Sequence, residues 1–405
     1  MPTLRQRLEG LTAARPIRRP AAAAPPTQTG AGFSLTESFH PLSTRRGLAG
    51  LPTADPQPFA LLHPDSQDLI PPVRDWLFLD LETTGLAGGT GTYAFLVGLG
   101  RLTDDGFHLR QFFLRDLAAE KEMLAALLPL LCGAQALVTY NGKQFDAPLL
   151  DTRFRLSRME APSSLLHLDL LYPARRLWRH RWDSLRLADL ERNLLDFHRS
   201  DDIPGELIPS TYFDFLRRGE EGHLALVFRH NADDLLTLAA VAAHALKLLA
   251  VPETGSPAEL LGLARLFERA RQLDRARGLY ERALSAGLPT SLAAVAAYRL
   301  SLLCKRQKDY ARAVALWNQL LESGEKQEER GTLAVCEELA ICYEHRLDDP
   351  ETAAELTRRA LALLGRNGHH AGNGRGNFEG MRARLSRRLA RLTRKESRAA
   401  GTALF

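Results

Sequence analysis

Cysteine is scarce and scattered: Cys132, Cys304, Cys336 and Cys342 form no C-x-x-C pair and have no histidine at ligand spacing. That pattern excludes a disulfide framework and a structural zinc site, and a reducing cytoplasm is the expected location. Long hydrophobic runs are missing too. The longest, Leu124 to Leu131 and Leu235 to Ala243, stop well short of the roughly 18 apolar residues that a spanning helix needs, so no membrane partner is expected. Lysine is sparse, and arginine carries nearly all the positive charge of a chain with a formal net charge of +5. That balance permits nucleic acid as a partner without demonstrating it. What remains is ordinary globular material, 405 residues with 45% hydrophobic and 25% charged content, enough for two or three domains.

Residues 1–40 read as a flexible arm rich in Ala, Pro and Arg, typified by Arg15-Pro16-Ile17-Arg18-Arg19-Pro20 and Pro25-Pro26. It lacks the apolar stretch of a secretory signal, and an Arg-rich transit peptide is its other reading. From Trp76 the pattern changes. Leu77 to Leu79, Tyr93 to Leu99 and Phe107 to Leu114 predict three adjacent strands. A helix over Ala118 to Leu131 and a strand over Ala136 to Tyr140 follow, so residues 75–248 form a mixed α/β sheet domain.

Beyond Pro252, Gly255 and Pro257 only helical periodicity persists, which places a second domain at 257–365. There Ala276-x3-Tyr280-x2-Ala283, Ala313-x3-Trp317-x2-Leu320 and Ala353-x3-Thr357-x2-Ala360 repeat at spacings of 37 and 40 residues. With Leu260, Leu263, Ala264 and Phe267 in a preceding helix, this resembles tetratricopeptide repeats, although the periods exceed the usual length of about 34 residues. The alternative is a plain helical bundle. Residues 366–405 form a basic tail in which Leu385, Leu389 and Leu392 predict an amphipathic helix, suited either to nucleic acid or to capping the repeats.

Three segments carry candidate chemistry. In Phe78-Leu79-Asp80-Leu81-Glu82-Thr83-Thr84-Gly85, strand alternation puts Asp80 and Glu82 on one face. In Tyr140-Asn141-Gly142-Lys143-Gln144-Phe145-Asp146, a turn leads Asp146 into the first turn of a helix. In His230-Asn231-Ala232-Asp233-Asp234, which is expected to open a helix, His230 and Asp234 share a face and Asp233 is expected in solvent. Each has a plain structural alternative when taken alone: a strand end, a capping acid and a helix terminus.

In combination, D-x-E on an early strand, N-x3-F-D after a central strand and H-x3-D on a late helix resemble the DEDD superfamily of 3′-5′ exonucleases. With His167-Leu168-Asp169-Leu170-Leu171 and Asp202-Ile203-Pro204-Gly205 added, the text resembles the YprB-type ribonuclease H-like domain family over about Asp75 to Leu248. The resemblance implies an α/β fold, a ribonuclease H-like mixed sheet with flanking helices, followed here by an all-α helical repeat domain. It further implies a metal-dependent nuclease in which Asp80, Glu82, Asp146 and Asp234 hold two Mg²⁺ or Mn²⁺ ions, hard cations that take oxygen ligands and activate water for in-line displacement. His230 stands where one branch of the superfamily carries Tyr, while another has His one residue earlier. It is expected to orient or deprotonate the attacking water.

Thr83, Asn141, Arg175 and Arg176 are the expected substrate contacts, the two arginines lying in a basic and aromatic stretch with Trp178 and Trp182; the alternative for that stretch is a helix whose Leu170, Leu171, Leu177 and Trp178 pack inward while the arginines sit in solvent. Asp169 is expected to pair with one of those arginines, Asp202 to lie in a structural turn, and Gly88-Gly89-Thr90-Gly91 to form a flexible edge beside the site. Nucleic acid is the implied partner, with a protein partner on the repeats. The competing reading is a catalytically inactive nucleic-acid or protein binding module on the same fold.

Overall fold

A computed structural model describes residues 28–29, 32–63, 69–85, 90–162, 165–219, 221–322, 329–367 and 375–402. The chain divides into two units, Met1–Val251 and Pro252–Phe405. The expected glycine-rich edge at Gly88 and Gly89 lies outside the described residues, as does most of the expected arm.

The first unit contains β1 (Gln28–Thr29), β2 (Phe33–Pro41), β3 (Trp76–Thr83), β4 (Ala94–Leu102), β5 (Gly106–Leu114), β6 (Ala136–Thr139) and β7 (Leu166–Asp169). They form one mixed sheet in the order β1-β2-β5-β4-β3-β6-β7. β2 to β5 pair antiparallel, while β3–β6 and β6–β7 are parallel. The three adjacent strands expected from the sequence are β5, β4 and β3. The arm expected over 1–40 needs correction at its end, because Phe33–Pro41 is a nine-residue strand paired along its length with β5. Its alternating burial explains the misreading: Ser34, Thr36 and Ser38 dilute the apolar signal of a strand whose main partner lies some 70 residues away in sequence.

β3 is apolar on both faces because both are covered. Leu77, Leu79 and Leu81 join a core with residues of α1 (Glu120–Cys132), α2 (Asp146–Leu156) and α5 (Ile208–Arg218), including Met123, Leu127, Phe154 and Tyr212. Tyr212 stacks on Phe95 with centroids 4.0 Å apart and donates its hydroxyl to Leu114 O at 2.8 Å. The opposite face carries Trp76, Phe78 and Phe107, with Phe78 in ring contact with each of the other two, then Asp80. α3 (Leu171–Trp178), α4 (Leu187–Leu195) and α6 (Leu224–Ala250) complete the unit. α6 starts six residues before His230, since buried Leu224 and Val227 extend its apolar stripe. His230 and Asp234 therefore sit inside the helix rather than at its start, away from the favourable N-terminal dipole.

Described residues of the second unit form helical hairpins: α7 (Pro257–Arg269) with α8 (Leu273–Ser285), α9 (Thr290–Arg306) with α10 (Tyr310–Glu322), and α11 (Glu329–His345) with α12 (Pro350–Asn367). The repeated positions Ala276, Tyr280, Ala283, Ala313, Trp317, Leu320, Ala353, Thr357 and Ala360 are all buried on the second helix of each pair. A last helix, α13 (Arg375–Thr402), buries Leu385 and Leu392. Its Arg384 pairs with Glu337, and its Arg391 with Glu344 at 2.7 Å. Arg388 and Lys395 also lie within reach of Glu344. Much of the tail's basic face is thus spent on α11, as a capping helix requires. Among the described residues no helix is long and apolar enough to cross a membrane.

Candidate active site

Asp80 and Glu82 project from one face of β3, where the strand leaves its regular register with β4 between Glu82 and Thr83. Opposite Asp80 on β4 stands Gly98, and a Cβ there would lie 2.2 Å from Asn231 Oδ1 and 2.6 Å from Leu235 Cδ1. The missing side chain lets α6 approach the sheet closely enough for Asn231 Nδ2 to donate to Asp80 Oδ2 at 2.8 Å and to Asp80 O at 3.2 Å. Asn231 is fully buried, and Gln111 fixes its amide by donating to Asn231 Oδ1 at 2.9 Å.

The second acid comes from the loop after β6. Asn141 adopts a left-handed backbone with φ of 64°, a conformation that Asn tolerates better than most residues. Asp169, fully buried at the end of β7, stabilises this turn. Its Oδ1 accepts the N–H groups of Asn141 (2.8 Å) and Leu171 (3.0 Å), and its Oδ2 accepts that of Lys143 (3.0 Å). The expected pairing of Asp169 with an arginine is therefore corrected: backbone amides satisfy the carboxylate instead. A Cβ on Gly142 would lie 2.8 Å from Asp146 Oδ2, so the turn also lies close against the acid. Phe145, just before it, is 55% exposed at the rim.

α6 supplies the remaining groups. His230 Nδ1 lies 2.7 Å from Asp202 Oδ1, and its Nε2 lies 3.6 Å from Asp234 Oδ2. Asp202 is thus more than a turn residue. Arg199 donates through Nε to Glu191 at 2.6 Å and through Nη1 to Asp202 at 3.3 Å, and its Nη2 donates to Asp234. Asp233, expected in solvent, is paired with buried Arg45.

The acids repel one another. Loss of hydration is the first reason that Asp80 holds its proton well above the usual carboxylate range, and the charges of Asp234, Glu82 and Asp146 add to it against the bond from Asn231. Burial likewise pushes Glu82 up to about 8, opposed by His230 and assisted by Asp234, Asp146 and Asp202. Burial lifts Asp146 to about 7. For His230, burial works against the charged form, but the bond to Asp202 and the charges of Asp234 and Glu82 outweigh it and raise the group to about 9. Asp80, Glu82, Asp146, Asp234 and His230 therefore share one electrostatic neighbourhood.

An all-oxygen set with an excess of negative charge suits a hard divalent cation. Among the described residues, however, no group of three or more His, Cys, Asp or Glu side chains is drawn together as a ready metal site. Asp80 is engaged by Asn231, and Asp234 by Arg199.

The expected substrate residues separate. Asn141 and Arg175 line one cleft of about 570 Å³ with Tyr140, Asp183 and Arg186. Arg176 instead donates to Leu62 O, and Thr83 Oγ1 donates to Gly85 O at 2.9 Å. Trp178 is fully buried beside His244, so it belongs to the core rather than to a stacking surface. Sequence reasoning missed Arg199, Glu191 and the anchoring role of Gln111. Only Asp202 and Asn231 carried a signal, lying inside the matched segments.

Two comparisons bear on this architecture. Residues 77–246 match the family model described as the RNase_H superfamily. The chain is also 34% identical over 290 residues to the uncharacterised protein YprB of Bacillus subtilis (strain 168), an alignment covering 70% of this chain and 68% of that protein.

Proposed function

The chain belongs to the RNase H superfamily and to the family of YprB, and from that premise we propose that it is a metal-dependent nuclease, acting as a 3′-5′ exonuclease on nucleic acid. The observation that carries the reading is the convergence of four acids, Asp80, Glu82, Asp146 and Asp234: loss of hydration raises the proton affinities of Asp80, Glu82 and Asp146, and the charge of Asp234 adds to the effect at Asp80 and Glu82. A structural role gives no reason to bring four carboxylates together when Arg199 pairs with one of them, Asp234. Mg²⁺ or Mn²⁺ bound there, as a pair, supplies Lewis acidity toward a phosphodiester and a more acidic water.

The protein's own groups define the rest. Asp80 and Glu82 from β3, Asp146 from α2 and Asp234 from α6 offer oxygen ligands. Asn231 orients Asp80 through Nδ2, and Gln111 orients Asn231. His230, held at Nδ1 by Asp202, presents Nε2 toward Asp234 and accepts or returns a proton at that atom. Cations held by Glu82 and Asp234 would cancel their part of the charge that favours protonated His230, while the bond to Asp202 would remain. Arg175 and Arg186 in the neighbouring cleft offer phosphate contacts, and exposed Phe145 offers a stacking face for a terminal base. Tetratricopeptide-like hairpins in the second unit serve to hold a partner or substrate.

The test is incubation of the purified chain with 3′- and 5′-labelled DNA and RNA, single- and double-stranded, in Mg²⁺, Mn²⁺ or chelator. Stepwise metal-dependent shortening from the 3′ end supports the proposal. Binding without cleavage of any substrate rejects it in favour of a non-catalytic module.

A further inference from the structure

Arg199 is the one guanidinium that reaches the carboxylate cluster from within the fold among the described contacts. Its side chain is only 7% exposed. Nε is committed to Glu191, Nη1 faces Asp202 and lies 3.3 Å from His230 Nδ1, and Nη2 is committed to Asp234. An arginine that clamps substrate phosphate keeps its fork open to solvent. Arg199 instead points its fork at protein carboxylates.

Its anchor is equally fixed. Glu191 is 1% exposed and accepts a bond from Thr237 Oγ1 at 2.7 Å, while its other neighbour, Arg45, lies 3.8 Å away. Arg45 in turn pairs with Asp233 and stacks 3.5 Å over the Phe197 ring. The guanidinium therefore cannot swing away cheaply, because leaving would strand a buried Glu191 charge. One oxygen of Asp234 is thus taken by an internal cation, and the other faces His230.

We propose that Arg199 is a resident cation of the carboxylate cluster, which competes with divalent metal for Asp234 and thereby sets the metal affinity of the site. This rests on the reading of the four acids as metal ligands. Arg199 is a positioning residue: it neutralises Asp234, holds the Asp202–His230 pair in register, and leaves the metal a ligand already half satisfied. A fixed positive charge within a few ångströms of the site weakens cation binding by direct Coulomb repulsion, so its removal strengthens binding.

Mn²⁺ binding to the full-length protein, followed by the electron paramagnetic resonance signal of free Mn²⁺ at constant pH, tests this without recourse to activity. Arg199→Gln should bind Mn²⁺ on the order of tenfold more tightly than wild type. Arg199→Lys, which keeps the charge, should stay within about twofold. Since Arg199→Gln leaves Glu191 with only the more distant Arg45 as a cation, the double variant Arg199→Gln/Glu191→Gln is measured alongside and should show the same tightening. Unchanged or weaker binding in the folded neutral variants overturns the inference and makes Arg199 a structural ion pair. Asp80→Asn separates the two levels of the argument: wild-type binding that Asp80→Asn abolishes keeps the metal-site reading whatever the arginine variants do. Absence of Mn²⁺ binding to wild type overturns both.

Discussion

Asp169→Asn removes one oxygen from a carboxylate that organises the turn leading to Asp146. Oδ1 serves two amides, Asn141 and Leu171, and Oδ2 serves one, Lys143. The amide in its better orientation keeps its oxygen at the Oδ1 position and turns its NH₂ toward the Lys143 N–H, setting donor against donor. One charge-assisted bond is lost and the others weaken, a cost of about 2–3 kcal/mol. Because the chain has two units, a single unfolding free energy is not well defined, and amide hydrogen exchange is the better readout. At about 1.4 kcal/mol per factor of ten, exchange across residues 139–146 should accelerate roughly 30- to 140-fold. The hairpins of the second unit should be unaffected. A folded variant whose exchange in that segment changes less than about threefold refutes the role given to Asp169.

Gly98→Ala places a methyl against Asn231 and Leu235; it should destabilise the first unit by about 1–3 kcal/mol in thermal unfolding, and a neutral effect would show that α6 can retreat without cost. Trp178→Ala should cost about 3–5 kcal/mol through its cavity, whereas selective loss of nucleic-acid binding with unchanged melting would restore Trp178 to the substrate surface. Glu82, Asp146 and His230 give a pH dependence of one sign, opposite to that of Asp202, whose carboxyl, against its burial, the bond to His230 holds below its usual range. Glu82, Asp146 and His230 all hold protons more tightly in the folded chain, at about 8, about 7 and about 9, so the folded state binds more protons than the unfolded and their contributions are lost as pH rises. Below about pH 6.5 the depressed groups of His63 and His167 oppose this trend, so metal-free protein should lose stability between about pH 7 and 9, and divalent cation should flatten the slope, as melting curves across that range will show. A metal-free stability that rises through this window contradicts the assignment.

Much of this was legible because it is periodic. Alternation put Asp80 and Glu82 on one face of β3, the turn residues placed Asp146 at a helix start, and the spacing of Ala276, Ala313 and Ala353 marked the buried face of each hairpin. What escaped is pairwise and long-range. β2 is recognisable only through its pairing with β5, and one of many arginines becomes part of the site only when folding carries Arg199 to Asp234, 35 residues on. Asp169 misled for a related reason. Nearby arginines are visible in a sequence, but backbone N–H groups aimed at a carboxylate appear only once the turn has formed. Trp178 stayed open between a stacking surface and the inward face of a helix, because composition records an aromatic without recording which way it faces.

The central claim is that four carboxylates act as one metal-dependent cleavage centre. It is tested most directly by measuring single-turnover cleavage of an end-labelled oligonucleotide in Mn²⁺ by wild type and by Asp80→Asn, Glu82→Gln, Asp146→Asn and Asp234→Asn, each checked for an unchanged fold. The account predicts cleavage by wild type and a loss of about a hundredfold or more in every variant, because removing any one ligand disables the shared centre. Wild-type rates retained by folded Asp80→Asn and Asp146→Asn would contradict it.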